Sequence, residues 1–485
     1  MSKPNRRDFL ENSILAAAAA AVATGPATSE VLAAEEGSSS PNERLRVAVL
    51  GVRGRGASHI GGFAHRKDTE VAVMCDPDEA VGNSRVESLK KSVKYDVKYV
   101  NDLRRVMEDK SIDIVTIATP NHWHSLAAIW AIQAGKDVYV EKPVSHNVSE
   151  GRRVVEAARK YKKIVQTGTQ SRSNGGMQDA MQYIKEGKLG KVYLARGLCF
   201  KTRNSIGARG NYDVPASVNY DVWSGPAPKK NLTRPRFHYD WHWQWDYGNG
   251  DLGNQGIHQM DIARWGLGVD TVGDSVLSYG GRVGYEDAGD SANTQVSIHQ
   301  YGDQRLVFEV RGLKTAALRG AKVGVIFYGT EGTLVIGSYA GGVVFDKDGN
   351  MTKKFSGGGD HFDNFLTAVR SRKTSDLNAD IHEGHLSSAL CHLGNISYRL
   401  GESIVGKEVE ERLTGDAEAL ATFERFGRHL EENKVMLAKT KLSFGRKLAI
   451  DAKAETFTGR GVENATAMLT REYRKGFVVP DAKDV

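Results

Sequence analysis

Two short stretches carry residue types that chemistry needs. Glu141-Lys142-Pro143 closes the apolar run Asp137 to Val140. A lysine at a strand end, taken out of water beside a cationic ring, has a lowered pKa and can trade a proton with a hydroxyl. Glu141 can pair with Lys142 or hold a ribose, and Lys142–Pro143 is a candidate cis bond that would aim the lysine. The plainer reading of Lys142 is a surface residue before a turn proline. In the second stretch Asn254, His258 and Asp261 stand at i, i+4 and i+7, which puts them on one helical face. Just before them, Trp241-His242-Trp243-Gln244-Trp245 holds three of the chain's seven tryptophans. Alternate spacing predicts all three on one side of an extended segment. Their faces can stack on sugar C–H surfaces, with Arg234, Arg236, His238 and His242 near enough to meet hydroxyls or a carboxylate. A packed cluster at a domain interface explains the same pattern.

These groups need a scaffold. Leu45 to Leu50 reads as a short buried strand running into Gly51-Val52-Arg53-Gly54-Arg55-Gly56, and a helical pattern follows. Strand, glycine turn and helix in that order set backbone amides against a pyrophosphate. The turn departs from G-x-G-x-x-G, since Arg53 stands where the second glycine belongs. The next strand, Val71 to Cys75, ends at Asp76, 25 residues after Gly51. That is near the spacing at which an acid meets ribose hydroxyls. A carboxylate there repels a 2′-phosphate and favours NAD over NADP, while Arg53 or Arg55 can reverse the preference. Asp113 to Ala118 is another buried strand, ending in Thr119-Pro120-Asn121-His122-Trp123-His124, and Asp137 to Val140 is a fourth. Helical segments (102–108, 124–134 and 149–162) separate them, which predicts a parallel sheet. Both strand-end motifs then lie beyond the carboxyl ends, where such sheets bind ligands.

Glu141-Lys142-Pro143 one strand after Thr119-Pro120-Asn121, with His124 following, resembles the Gfo/Idh/MocA oxidoreductases, typified by glucose-fructose oxidoreductase and inositol dehydrogenase. The resemblance continues through Gly253 to Asp261, Gly329-Thr330-Glu331-Gly332 and His361-Phe362-Asp363-Asn364-Phe365, and so covers about 45–400. It implies an α/β chain: an N-terminal Rossmann domain with a parallel sheet, then a C-terminal α/β domain with a large, open, mostly antiparallel sheet. Such sheets often pair between subunits, so a homo-oligomer is implied. Gly51, Arg53, Gly54, Arg55, Gly56, Asp76, Thr119, Pro120, Asn121, His124, Glu141 and Lys142 become the cofactor residues. The family gives Lys142 substrate and cofactor positioning, and makes His258 the general base. Its pattern has Asp four residues before that histidine, where this chain has Asn254. Asn cannot support an imidazolium by charge, so Asp261 supplies it or proton transfer is weaker. Trp241, His242, Trp243, Arg234 and Arg236 are the candidate substrate contacts. The strand-length runs Val192 to Phe200, Thr294 to Gln300, Gln304 to Val310 and Val323 to Tyr328 fit the second domain.

Composition narrows the field. The 485 residues are too long for one core, and 40% hydrophobic with 26% charged is ordinary globular composition. Charge is +7 and scattered, without the basic block that nucleic-acid binding uses. Cys75, Cys199 and Cys391 are far apart and make no zinc spacing. His122-Trp123-His124 and His382-Glu383-Gly384-His385 lack the His-Glu-x-x-His pattern, so no metal is expected. The second pair is expected to pack against the first domain beside the cofactor. The segment 1–34 reads as a twin-arginine export signal: Arg6-Arg7-Asp8-Phe9-Leu10, an alanine-rich core, small residues before a cut. Its apolar core is too short to span a membrane ~30 Å thick. A Ser-rich linker (35–44), a Rossmann domain (45–165), a substrate and oligomerisation domain (166–400) and a C-terminal extension (401–485) complete the plan. The extension carries no recognised chemistry.

Three functions are compatible with these features. The first is a hydride-transferring oxidoreductase acting on a sugar or polyol through tightly bound NAD(P). The second is a redox-neutral glycoside hydrolase or lyase using NAD transiently, and the third is a non-catalytic sugar-binding protein. The periplasm offers little free NAD, so an exported enzyme must regenerate a cofactor that it carries with it. Replacing Arg6 and Arg7 together by Lys is expected to leave precursor in the cytoplasm, measured by fractionation. Normal export of that double variant through the general secretory machinery refutes the twin-arginine route.

Overall fold

β1 (Leu45–Leu50) is apolar except for Arg46, and the rest of it is buried because it lies at the centre of a sheet. The computed structural model describes residues 44–485; the paired arginines, the export signal and nearly all of the linker lie outside the described residues. β1 pairs in parallel with β2 (Thr69–Cys75) on one side and β4 (Ile114–Ile117) on the other. β3 (Lys98–Val100) and β6 (Val165–Thr167) close the edges beyond β2 and β5 (Asp137–Val140), giving the order β3-β2-β1-β4-β5-β6. This is the doubly wound arrangement that binds dinucleotides at the strand carboxyl ends. The sequence reading anticipated four of the six strands. The two edge strands have three residues each, too few to show any periodicity.

The second domain is a 12-stranded mixed sheet. Its central strands are β7 (Val192–Phe200), β9 (Thr294–Tyr301), β10 (Gln304–Arg311) and β11 (Val323–Gly329), with β8 (Ser275–Gly281) beyond β9. Neighbours run antiparallel except β7 and β10. One face of this sheet, through Ala195, Cys199, Phe308 and Phe327, packs on helices Gly256–Leu267 and Ile381–Arg399. That contact fixes the helix carrying His258 against a rigid floor.

The opposite face holds an ion cluster under the C-terminal extension. Glu309, fully buried, accepts from Arg196 (2.6 Å), Arg311 (2.7 Å) and Arg425 (3.0 Å). Burial alone would raise its carboxyl, but the guanidinium groups outweigh burial and hold it down at about 2. Around the cluster, Phe423, Phe426 and Leu430 of helix Ala417–Glu432 cover Leu194, Val307 and Tyr279. The extension also adds strands Glu402–Val405 and Lys441–Phe444 to the sheet edge. Its tail returns to the first domain, where Phe477, Val479 and Val485 join the core around Trp123 and Trp130.

Glu309→Gln keeps the shape and removes the charge that three guanidinium groups share. Removing one partner of a buried ion network costs about 3–5 kcal/mol, so the unfolding free energy from denaturant titration is expected to fall by that amount. A change under about 0.5 kcal/mol, typical of a neutral surface site, would show that the cluster contributes nothing net.

Candidate active site

A cleft of about 460 Å³ opens between the carboxyl ends of β1, β2, β4 and β5 and the second domain. Its first half is backbone and short side chains. Gly51 adopts φ 76°, and a Cβ there would lie 2.8 Å from the Ala118 carbonyl, so the turn closes only on glycine. Gly54 (φ 51°) has nothing within 4 Å of that position and leaves bare backbone on the cleft. Gly56 does not line the cleft. It lets the following helix approach the Gly51 carbonyl. Asp76 accepts the amides of Val52 and Asp78, both at 3.0 Å. Burial raises its carboxyl and those amides oppose the rise. Arg53 is exposed on the rim, whereas Arg55 turns inward to Glu141 (2.7 Å) and Gln170 (3.1 Å). Thr119 and Asn121 line the cleft beside Pro120, and each has a buried polar atom (Oγ1 and Nδ2) without a partner among the described residues. An open glycine turn, an acid at the second strand end and two orphaned polar atoms fit a dinucleotide. His124 spans the carbonyls of Thr119 (2.8 Å) and Pro143 (2.6 Å), joining the two strand-end motifs.

The second half carries the titratable groups. The Lys142–Pro143 peptide is cis. Lys142 Nζ donates to the Asn254 carbonyl at 2.7 Å. That carbonyl is available because the helix expected to run through Asn254 is divided, Gly250–Asn254 ending before Gly256–Leu267 begins. Burial lowers the Lys142 ammonium below the usual lysine range, Glu141 opposes this, and Arg55 adds to it. Burial would raise the Glu141 carboxyl, yet His59 (3.1 Å) and Arg55 hold it well below its usual range. His258 faces the cleft with Tyr339 edge-on at 5.2 Å, and no hydrogen bond engages its ring among the described residues. Burial first, then the Lys142 charge, keeps its imidazole neutral well below the usual histidine range.

Several expected contacts are corrected. Asp261 does not support His258: Arg172 takes its carboxylate (Nε–Oδ2 2.8 Å), and Ser387 donates to Oδ1 at 2.7 Å. Asn254 and His258 share the cleft, but the third residue of that face turns into the domain core. The tryptophan segment is a 3₁₀ turn over Asp240–Trp243, not an extended strand. Its rings therefore splay, and only Trp241 of the three lines the cleft. Trp243 is buried under Arg282, its ring 4.7 Å from that guanidinium. His242 is fully buried, bonded to the Tyr239 carbonyl at 2.6 Å. Arg234 is buried among Trp223, Phe237 and Tyr247 and donates to Gln244 and the Phe237 carbonyl. Arg236 is an exposed i,i+4 partner of Asp240 (2.6 Å). These four residues build the segment instead of facing the cleft. On helix Ile381–Arg399, Gly384 packs on Thr167 of β6, while His385 bonds Glu455 of the extension at 2.9 Å.

The geometry adds Gln170, Trp223, Tyr239 and Gln255 to the cleft wall. Gln255 donates to the Tyr339 hydroxyl at 2.6 Å, so the ring beside His258 is positioned by its neighbour in sequence. Tyr239 has φ 68°, and none of these positions carries a signal in residue spacing.

Residues 45–169 match the model for the oxidoreductase family's NAD-binding Rossmann fold, and 200–433 match the model for the same family's C-terminal alpha/beta domain. Among curated relatives, an alpha-N-acetylgalactosaminidase of Shewanella oneidensis is 36% identical over 125 residues, 25% of this chain and 27% of that protein. A glycosyl hydrolase family 109 protein of a Shewanella species is 33% identical over 183 residues, 34% of this chain and 39% of the relative. The chain thus matches well under half the length of either. The crystal structure of the WlbA dehydrogenase from Bordetella pertussis in complex with NADH and UDP-GlcNAcA superposes with a TM-score of 0.56 at 20% identity. It covers 73% of this chain and 97% of that one, a likeness of fold. With both domain models matched in order and the strand-end motifs gathered on one cleft, the chain belongs to the Gfo/Idh/MocA oxidoreductase family and has its NAD-binding domain.

Proposed function

We propose that this enzyme retains NAD and uses it for a transient oxidation of a sugar hydroxyl, so that a glycosidic bond is cleaved with no net redox change. The observation carrying this reading is the segment 201–249, which is pinned across the dinucleotide cleft. Asn219 N donates to the Pro77 carbonyl (2.7 Å), Glu79 N to the Ser217 carbonyl (2.8 Å), and Trp123 Nε1 to the Val222 carbonyl (2.9 Å). His238 meets Asp78 at 2.8 Å. A cofactor beneath such a strap exchanges slowly, so hydride must return within the same cycle. The names of the curated glycosidase relatives agree with that reading. It also suits export of an already folded protein to a compartment poor in NAD.

Bound NAD supplies the hydride acceptor and, at the end of the cycle, the hydride donor. The chain's own side chains move the protons. Lys142, held by a neutral carbonyl, orients the substrate hydroxyl and steadies its oxygen as the proton leaves. His258, neutral and unbonded, accepts that proton. Once the hydroxyl carbon is a carbonyl, the neighbouring C–H is acidic. Its removal expels the glycosidic oxygen from the next carbon, which takes up a proton. Water then adds at that carbon and the carbonyl is reduced, leaving the two alcohols of hydrolysis. A net sugar oxidoreductase is the second reading, favoured by the family description of both domains.

Protein purified without added cofactor is expected to carry NAD, detected by its absorbance after denaturation. His258→Ala should keep that signal while losing at least roughly a hundredfold in rate, the scale of general-base loss. Cleaved glycoside with no accumulated keto-sugar or NADH supports the redox-neutral cycle; stoichiometric keto-sugar establishes the second reading. Protein free of dinucleotide that turns over with added NAD refutes retention. Because burial and Lys142 lower the His258 pKa, the imidazole stays a competent base into acid. The acid limb of kcat/KM should therefore lie below the usual histidine range near 6.5. A limb at or above that value assigns the base elsewhere.

A further inference from the structure

A second cavity, of about 270 Å³, lies where the second domain, the loop after Lys142 and the C-terminal extension meet. Four of its lining residues carry donors that no anionic group within the cavity meets. Arg399, an exposed residue, lies with its guanidinium 5.0 Å from the Trp245 ring centroid, and that guanidinium makes no hydrogen bond among the described residues. Arg471, from the extension, donates to His146 Nδ1 (3.0 Å) and the Asp246 carbonyl (3.1 Å), and has no carboxylate within ion-pair distance among the described residues. A guanidinium is always a donor, so His146 Nδ1 is the acceptor and the neutral ring carries its proton on Nε2. That Nε2 is buried and unpartnered. So is Nδ2 of Asn249, a residue only 5% exposed. Neighbouring acids are engaged elsewhere: Asp246 by Lys230 (2.7 Å), Asp290 by the Trp245 amide (2.8 Å), Glu150 by the His146 amide (2.8 Å). Glu472 lines the cavity but is exposed.

We infer that this cavity binds a small oxyanion, a single carboxylate, sulfate or phosphate group, through Arg399, Arg471, His146 and Asn249. His146 Nε2 and Asn249 Nδ2 are buried donors left unpaired, which is costly, and an acceptor-only ligand satisfies them while meeting the two guanidinium charges. The cavity falls below the roughly 300–1,000 Å³ of sites for larger ligands, which limits the occupant to one charged group or one acidic sugar residue. Its place in the chain links it to the active site. His146 follows Lys142 by four residues, and Asn249 precedes Asn254 by five. An anion held by both His146 and Asn249 would tie together the two segments whose other ends make the Lys142–Asn254 contact.

The test is calorimetric titration of the full chain with inorganic sulfate, inorganic phosphate and galacturonate, in chloride at matched ionic strength. Saturable binding of at least one of them is expected, weakened tenfold or more in Arg399→Gln and in Arg471→Gln. The Arg399 guanidinium makes no hydrogen bond among the described residues, so its variant keeps the fold, checked by an unchanged melting temperature. Arg471→Gln is read only if it melts as the parent does. Sulfate or phosphate binding alone identifies a free inorganic ion as the occupant, and galacturonate binding alone identifies a sugar-borne carboxylate. No saturable heat from any of the three, or unaltered affinity in Arg399→Gln, overturns the assignment.

Discussion

The contact on which the site depends is the hydrogen bond from Lys142 Nζ to the Asn254 carbonyl. It joins the end of β5 in one domain to a helix terminus in the other, and so fixes the width of the cleft at the point where a hydroxyl must sit. Each end is secured by different physics. The lysine leaves a buried parallel strand, beside a proline whose neighbour His124 clamps both strand-end motifs. The carbonyl is a helix-terminal orphan, free because the helix is divided there. The floor beneath it is the packing of Ile257, Met260 and Ala263 on the second sheet.

Much of this was legible in the residues, and the boundary of legibility has a physical cause. β1, β5 and β7 have the limits that mainly apolar runs suggest, because burial on both faces leaves few polar residues inside the run, Arg196 of β7 being the one drawn into the Glu309 cluster. The glycine turn was legible because the backbone at Gly51 demands that type, and Asp76, Glu141 and Lys142 because each directly follows an apolar strand-length run or stands next to its end. Arg234 and Arg236 were misread because an arginine has the same letter whether its guanidinium meets solvent, a ligand or a cage of rings. Trp243 was misread because alternation on paper presumes an extended backbone, and Asp240–Trp243 is a turn. Asp261 failed for a further reason: its face of the helix is shared between the cleft and Arg172, and only tertiary packing decides which side it serves.

The C-terminal extension acts on all parts of the molecule. Its strands lengthen the second sheet, its helix covers the Glu309 cluster, and its tail fills the first domain's core beside Trp123. Trp123 in turn holds the strap through the Val222 carbonyl, and Arg474 of the tail donates to the Asp221 carbonyl at 3.0 Å. The strap is therefore braced from the first domain on one side and from the extension on the other. A segment whose sequence alone shows no recognisable chemistry contributes to how tightly the cleft is closed.

The replacement of an acid by Asn254 is consistent with the electrostatics of the whole site. A carboxylate beside His258 would stabilise an imidazolium and raise its pKa; a carboxylate bonded to Lys142 would raise that pKa too. The described residues provide neither. The buried acid at hand, Glu141, is held by Arg55 and His59, and Lys142 is bonded to a neutral carbonyl. Both proton-handling groups consequently sit below their usual ranges, and each destabilises the charged form of the other. In a cycle that first takes a proton from a hydroxyl and later returns one, a base that binds its proton weakly gives it back readily. A strongly supported imidazolium would favour the oxidised carbonyl and oppose the return. The Asn at position 254 thus suits a reaction whose redox steps cancel.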